Sequence, residues 1–555
     1  MQLLFTENPE YMSFKLHLTV LMAALSMVTC RFKNKEADLI IHNARIYAVD
    51  GAASTHEAMA IKDGKIIAIG PEREILNEFK ATQTIDCGKR FIYPGFIDAH
   101  CHFLGYGRTL QDVDLTDTKS FDEVIERIRA FQPKNSRGWI IGRGWDQNDW
   151  LIQEFPGRSR LDSLYPEIPV VLRRVDGHAM LVNAKAMELA KINASQKVSG
   201  GDIDFERGIL IDNAMKFIED ILPAYTDADD MNALLDAEKN CFAAGLTTVD
   251  DAGLLKREVD LIKKMHAEGK LKMRIYAMMS DNKENFDYYL AHGIDTTDRL
   301  TVRSFKFYAD GALGSRGACL LAPYSDVLPS PHYGTMLDSV DHFRRRAYDL
   351  YMHGFQMCTH AIGDSANRVM LGIYAEVAGD SSDHRWRIEH AQVVHQNDIG
   401  KFGQYHVIPS IQPTHATSDM PWAVQRIGQN RMKRAYTYRE LKAQMGMVAL
   451  GTDFPVEGIS PVNTFYAAVV RKDKSGLPES GFQPENALDR EDALRGMTIW
   501  AAMANFEENK KGSLEIGKLA DFVMLDQDIL KCAENSILKT KVLLTVVNGE
   551  VVFRE

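Results

Sequence analysis

The chain has 555 residues, 45% hydrophobic and 25% charged, an ordinary globular mix that excludes a wholly disordered chain, a collagen and a coiled coil. Lys and Arg total 65 against 76 Asp and Glu, a formal net charge of −11 that lacks the positive field nucleic-acid binding needs. Seven cysteines are too few and too scattered for a disulfide scaffold.

Residues 1–30 read as an address. Met12 offers a second start; Lys15 then precedes a short apolar run from Leu16 to Val28. A basic residue, a short apolar stretch and small residues near its end describe a signal peptide. The run is shorter than the about 20 residues that a permanent membrane helix needs. Cys30 follows Met27-Val28-Thr29 and precedes Arg31 and Lys33, an arrangement that resembles a bacterial lipoprotein cleavage site. Export is therefore expected, to the periplasm or as a membrane-anchored lipoprotein with its lipid at Cys30. The alternative is an N-terminal helix that packs or frays.

Residues 37–69 read as short strands parted by His42-Asn43 and Asp63-Gly64, the latter a hairpin signal. The far end has the same texture: Ala520–Leu525, Val542–Val547, then Asn548-Gly549 and a return strand. Both ends are expected to build one small β-sandwich domain, from residues 36–93 and from 485–555 after a last helix. The middle, 94–484, alternates strands and helices, the pattern of a parallel sheet, open or closed. Eight candidate strands are Gly95–His100, Leu246–Asp250, Met273–Met279, Val302–Tyr308, Gln356–His360, Arg385–Glu389, Val407–Gln412 and Met447–Gly451. This predicts an α/β fold, a (β/α)8 TIM-like barrel. The surplus length lies between the first two strands, where an α/β cap at about residues 110–235 is expected to cover the mouth. Before the second strand, Met231, Leu234, Leu235, Cys241 and Phe242 are predicted to share one helical face that ends at Gly245.

In such barrels the reacting groups sit at the C-terminal strand ends. Those ends carry His100 and His102, Lys306, His360, His390 and Asp453. Residues i and i+2 of a strand point the same way, so His100 and His102 can face one metal while Cys101 points elsewhere. Neutral imidazole suits Zn²⁺, with other divalent transition ions as substitutes. Lys306 alternates with Phe305 and Phe307; if the aromatics pack outward, its ammonium enters the barrel. There it is neutralised by Asp310 or Asp453, or converted by CO₂ to a carbamate, or held as an ion-paired structural lysine. Asp453 is read either as a turn cap or as metal ligand and general base. Cys358 is read as buried and inert. CxxC spacing, HEXXH, G-x-S-x-G and the P-loop are all absent from the sequence.

Taken in order, ADLIIHNARIYAVD, PGFIDAHCHF, FKFYADGALGS, THAIGD, IEHA, GTDFP and GSLEIGKLADFVMLD resemble the amidohydrolase superfamily, in particular its family-3 branch of metal-dependent hydrolases. The resemblance implies one or two divalent ions, Zn²⁺ foremost, at His100, His102, Lys306, His360, His390 and Asp453, with Lys306 as a carboxylated bridge. It places His178, of Arg174-Val175-Asp176-Gly177-His178, near the substrate, with Trp145 as a second rim candidate. Asp310 and Arg316 are expected to bind substrate or to orient Lys306. The implied reaction is hydrolysis of a non-peptide amide carbon–nitrogen bond, with Asp453 moving the proton. Deamination or cyclic-amide opening on the same site is the first alternative, and a non-catalytic solute- or metal-binding lipoprotein the second. The expected partners are a small-molecule substrate, the lipid anchor and, as an option, a second copy of the chain.

Overall fold

The computed structural model describes residues 35–131, 138–327, 329–379 and 383–555. The expected leader and Cys30 lie outside the described residues. Among those described, no helix is long and apolar enough to cross a membrane.

Eight strands form the barrel: β1 (Phe96–Cys101), β2 (Leu246–Leu254), β3 (Arg274–Ser280), β4 (Leu300–Tyr308), β5 (Gln356–Ala361), β6 (Arg387–His390), β7 (Ile408–Ile411) and β8 (Ala449–Leu450). Each pairs in parallel with the next in this order. The ring closes where the Asp453 amide donates to the His100 carbonyl and the His102 amide to the Phe454 carbonyl, both at 2.8 Å. All eight predicted strands are present, with ends shifted by a few residues.

Alternation along β4 sends Phe305 and Phe307 outward. Both meet Phe286 of the helix Lys283–His292, with ring centroids 4.4 and 6.2 Å apart. Lys306 therefore points inward and is buried. The helix before β2, Asp227–Ala243, starts at a capping box between Thr226 and Asp229. Its buried face carries Ala233, Leu234, Ala237, Cys241 and Phe242, whereas Leu235 is exposed, contrary to the predicted face. At about 100° per residue the buried face centres near Ala237 and Cys241, and Leu235, about 120° around the helix from Cys241, falls outside it. Its buried residues join the barrel core, so the insertion ends before Asp227 and not near 235.

The insertion is a six-stranded mixed sheet. Its order is Gly201–Asp204, Ile209–Asp212, Ala179–Val182, Val170–Arg174, Ile140–Trp145 and Val113–Asp114. Apolar clusters pack on it, one around Trp145, Trp150 and Leu172, another around Val171, Met180 and Leu210.

The two ends of the described chain meet in one hydrogen-bonded sheet of eight strands that folds back on itself, so that Ile61 and Ile66 share one apolar core with Phe522, Leu544 and Val546, and Leu519 bridges to Lys65. Phe522–Leu525 lies antiparallel to the end of the long strand Phe79–Pro94, which runs on into β1. The Asp63-Gly64 and Asn548-Gly549 hairpins form where the sequence marks them. Arg274, at the start of β3, clamps this sheet to the barrel by donating to both oxygens of Asp521 at 2.6 and 3.2 Å, with both residues buried. Arg274→Met leaves Asp521 buried without its counter-charge. It is expected to cost about 3–5 kcal/mol in chemical unfolding; a loss within about 0.5 kcal/mol, as for an ordinary surface change, would show that the clamp does not hold the two parts together.

Candidate metal centre

The site grows from β1. Asp98 staples this strand to the segment after β8: Oδ1 accepts from the Thr452 amide at 2.9 Å and Oδ2 from the Thr452 hydroxyl at 2.7 Å. His100 is fully buried inside the barrel, and its Nδ1 donates to Glu389 Oε2 at 2.6 Å. Glu389 Oε1 accepts from Arg387 Nε at 2.8 Å, and Arg387 Nη1 donates to Asp250 Oδ2 at 3.0 Å. His102 donates from Nδ1 to the Ala252 carbonyl at 2.9 Å, and His390 from Nδ1 to Gln412 Oε1 at 2.7 Å. His100, His102 and His390 therefore each carry their lone pair on Nε2. His360 differs: its Nε2 faces the Gly311 carbonyl at 3.3 Å, which leaves Nδ1 as its lone-pair nitrogen.

The rings converge. Centroids lie 5.0 Å apart for His100 and His390, 4.6 Å for His360 and His390, and 5.8 Å for His100 and His102. Asp453 Oδ1 lies 3.2 Å from His102 Nε2 and 3.6 Å from His100 Nε2. Lys306 Nζ donates to His100 Nε2 at 3.0 Å and makes no carboxylate ion pair among the described residues. Neither acid proposed to neutralise it does so: Asp453 faces the histidines, and Asp310 accepts from the amides of Ile362, Gly363 and Cys319.

Burial sets the protonation states. It pulls the Lys306 amine down to about 8, against the opposing pull of Glu389 and Asp453. Burial and the nearby Lys306 bring His100 down to about 4 despite Glu389, while burial holds His360 and His390 well below the usual imidazole range. Burial alone would push Asp453 up, but His102, His100 and His390 outweigh it and keep the carboxylate well below its usual range. The result is a set of neutral nitrogens around one ionised oxygen donor. Asp453 Oδ1 and His415 Nε2 are both buried with no hydrogen-bond partner, orphan atoms of the kind a cation satisfies. Two groups bring donor atoms within 4.8 Å of one another: His100, His102 and Asp453, and His390, His415 and Asp453. The donor set fits a divalent transition ion.

These groups open on a cavity of about 1110 Å³, lined from the barrel by His360, Tyr308 and Asp453 and from the insertion by Arg143, Asp176 and His178. His178 lines this cavity. Its ring is 5.0 Å from that of His360, and its Nδ1 donates to Asp212 at 2.7 Å. Burial opposes its charge, but Asp212 and Asp176 win and raise its pKa.

Three expected substrate contacts are corrected. Trp145 is buried in the insertion core and donates to the Leu172 carbonyl at 2.8 Å; it does not line the cavity. The strand register shifts between Arg143 and Trp145, and Trp145 faces the apolar cluster of the insertion. Arg316 pairs with Asp326 at 2.9 Å, away from the cavity lining. Asp310 is a brace, its carboxyl raised to about 7 by burial against the three amides it accepts from, and its Oδ1 lies 3.6 Å from His360 Nε2. Cys358 is buried, its thiol pushed up to about 12, and inert as expected. Sequence reasoning missed His415, Glu389 and Arg387. His415 had a signal, a histidine just past β7; the other two look like ordinary strand residues.

A closed parallel barrel with neutral imidazoles and a carboxylate at its C-terminal rim defines a metal-site hydrolase class. The chain belongs to the amidohydrolase family, whose sequence profile matches residues 83–553, in the family-3 branch. It is 30% identical over 537 residues to the Arabidopsis thaliana protein LONG AFTER FAR-RED 3, covering 91% of each chain. It is 26% identical to the N-substituted formamide deformylase of Arthrobacter pascens, covering 92% of this chain and 97% of the relative. The crystal structure of an uncharacterized metal-dependent hydrolase from Pyrococcus horikoshii matches 89% of this chain and 99% of its own, with a TM-score of 0.75 and 27% identity. The protein is a metal-dependent hydrolase with an α/β TIM-like barrel.

Glu389→Gln removes the charge that orients and polarises His100. Metal affinity in chelator competition is expected to fall by about 10–100-fold; unchanged affinity would exclude His100 as a ligand oriented by Glu389.

Proposed function

We propose that the chain hydrolyses the carbon–nitrogen bond of a non-peptide amide, with one or two divalent ions, zinc foremost. The observation that carries this reading is the orphan oxygen of Asp453 among lone-pair imidazoles at the floor of a large cavity. Similarity to a formamide deformylase supports the bond type. His100, His102 and Asp453 would hold one ion; His360 and His390, with His415 as a further donor, would hold a second. Bound there, a divalent ion supplies Lewis acidity, polarising a carbonyl and acidifying water.

Lys306 would bridge the two positions as a carbamate. Its uncharged amine attacks CO₂, the new N–C bond forms, and one proton leaves to solvent. An amine pulled down to about 8 keeps an appreciable neutral fraction near pH 7 for that step. Asp453 is ionised at that pH and has one oxygen without a hydrogen-bond partner. It takes the proton from the attacking water and returns it to the leaving nitrogen, so acid and base work fall to one carboxylate. His178, whose pKa Asp212 raises, lines the same cavity wall.

Asp453→Asn is expected to lower turnover on a formamide panel by about 10²–10⁴-fold while most of the metal is retained; near-normal turnover would remove Asp453 as the base. Elemental analysis of the loaded protein is expected to give two ions per chain, and Lys306→Met one. Two ions in that variant would dismiss the bridge.

A further inference from the structure

We propose that Arg143 and Arg173 form a carboxylate-recognition site in the same cavity, so that the substrate is an amide bearing a carboxylate, of the N-acyl amino acid class. This rests on the amide reading above and adds the group that is recognised.

The two arginines are register partners on the parallel strands Ile140–Trp145 and Val170–Arg174, and both line the cavity. Like charges directly opposed in a sheet are unfavourable unless something negative lies between or beside them. Arg173 has such a partner, Glu219 Oε1 at 2.7 Å. Arg143 has none. Its Nη2 donates to the Val175 carbonyl at 3.0 Å, and its Nε is buried without a partner. A guanidinium carries five N–H donors, so most of this one's capacity is unused.

No carboxylate among the described residues forms an ion pair with Arg143: Asp453 acts on it through charge alone, and the others nearby are engaged elsewhere, Asp212 through one oxygen only. Asp176 accepts from Arg174 and from the His178 amide, Asp146 from Arg174 and the Asn148 amide, and Asp212 from His178. Asp114 accepts from the amide and hydroxyl of Thr116. Leaving a buried charge unpaired is expensive, and a ligand carboxylate would remove that cost.

The backbone is shaped to present Arg143. The register shift between Arg143 and Trp145 falls at Gly144, whose φ of +113° suits glycine and aims the two side chains apart, Trp145 into the core and Arg143 into the cavity. Gly177, at φ +78°, borders the guanidinium: a Cβ there would meet Nη2 at 3.5 Å and Nη1 at 3.6 Å, an ordinary contact distance. The planar fork matches a carboxylate in two-point contact. Burial and Arg173 bring the Arg143 guanidinium down to about 10, which leaves it charged at neutral pH.

The test uses matched probes that cannot be hydrolysed, N-methanesulfonyl-phenylalanine and N-methanesulfonyl-phenethylamine, titrated calorimetrically into the metal-loaded full chain. The carboxylate probe is expected to bind at least about tenfold tighter, the scale of a buried charged hydrogen bond. Arg143→Met is expected to abolish that preference and Arg143→Lys to keep part of it. Equal binding of the two probes, no binding of either, or a preference that survives Arg143→Met overturns the proposal, the first two without relying on any variant. Turnover of N-formyl-phenylalanine and N-formyl-phenethylamine is measured in parallel. Hydrolysis of neither, with the probe preference intact, would fault the amide reading and leave the carboxylate site standing.

Discussion

Across the barrel interior, buried polar groups touch in series: the alternating charges of Asp250, Arg387 and Glu389, then the neutral His100 and finally Lys306. Every link is removed from water, so each charge is stabilised only by its neighbours. Arg387 also donates to the Ala99 carbonyl at 2.8 Å, which ties the series to β1, and Asn505 caps its far end at Asp250. This series fixes the tautomer of His100 and hence the direction of its lone pair. It also leaves Lys306 at the end with a histidine nitrogen, not an acid, as its partner. The centre is therefore incomplete on the side that faces the cavity, and that incompleteness is where its chemistry lies.

Much of this was legible in the sequence where a period could carry it. His100 and His102 follow from the two-residue repeat of a strand, and Lys306 from its place between two outward phenylalanines. The limits of periodicity show at His390 and Asp453. Glu389 and Arg387 already occupy the inward positions of β6, so plain alternation would turn His390 away. It faces inward because its φ is +73°, and Asp453 sits at φ +62°. Such left-handed conformations cost energy for non-glycine residues and are set by tertiary packing, not by local preference. Trp145 was placed on the rim by resemblance, not by period, and it packs instead in the apolar cluster of the insertion. Leu235 was misplaced because the helical face was centred toward Met231 and Leu235, whereas the buried face centres on Ala237 and Cys241.

The cavity belongs to two scaffolds. Barrel strand ends supply the lone pairs and the insertion supplies charged donors, so chemistry and recognition sit on separately folded sheets. Their contact is close at the exit of β4. Asp212 of the insertion lies so near Gly311 and Gly317 that a Cβ on either would come within 2.5 Å of its Oδ2. The glycines of that segment thus make room for the carboxylate that pairs with His178. The insertion can diverge in its outer strands without disturbing the metal groups, provided this seam is kept.

The sheet shared by both ends of the described chain has a consequence for synthesis. Phe79–Pro94 has its hydrogen-bonding partner Phe522–Leu525 more than four hundred residues later. Until those residues leave the ribosome, the edge at Phe91–Pro94 stays unpaired beside a half-built barrel. Nascent edges of this kind are prone to pair with the wrong neighbour. Arg274 is in the same position, since its acid Asp521 also arrives late. Maturation of the metal groups, which depends on β8 closing onto β1, therefore belongs to the last stage of assembly, when nearly the whole chain is present.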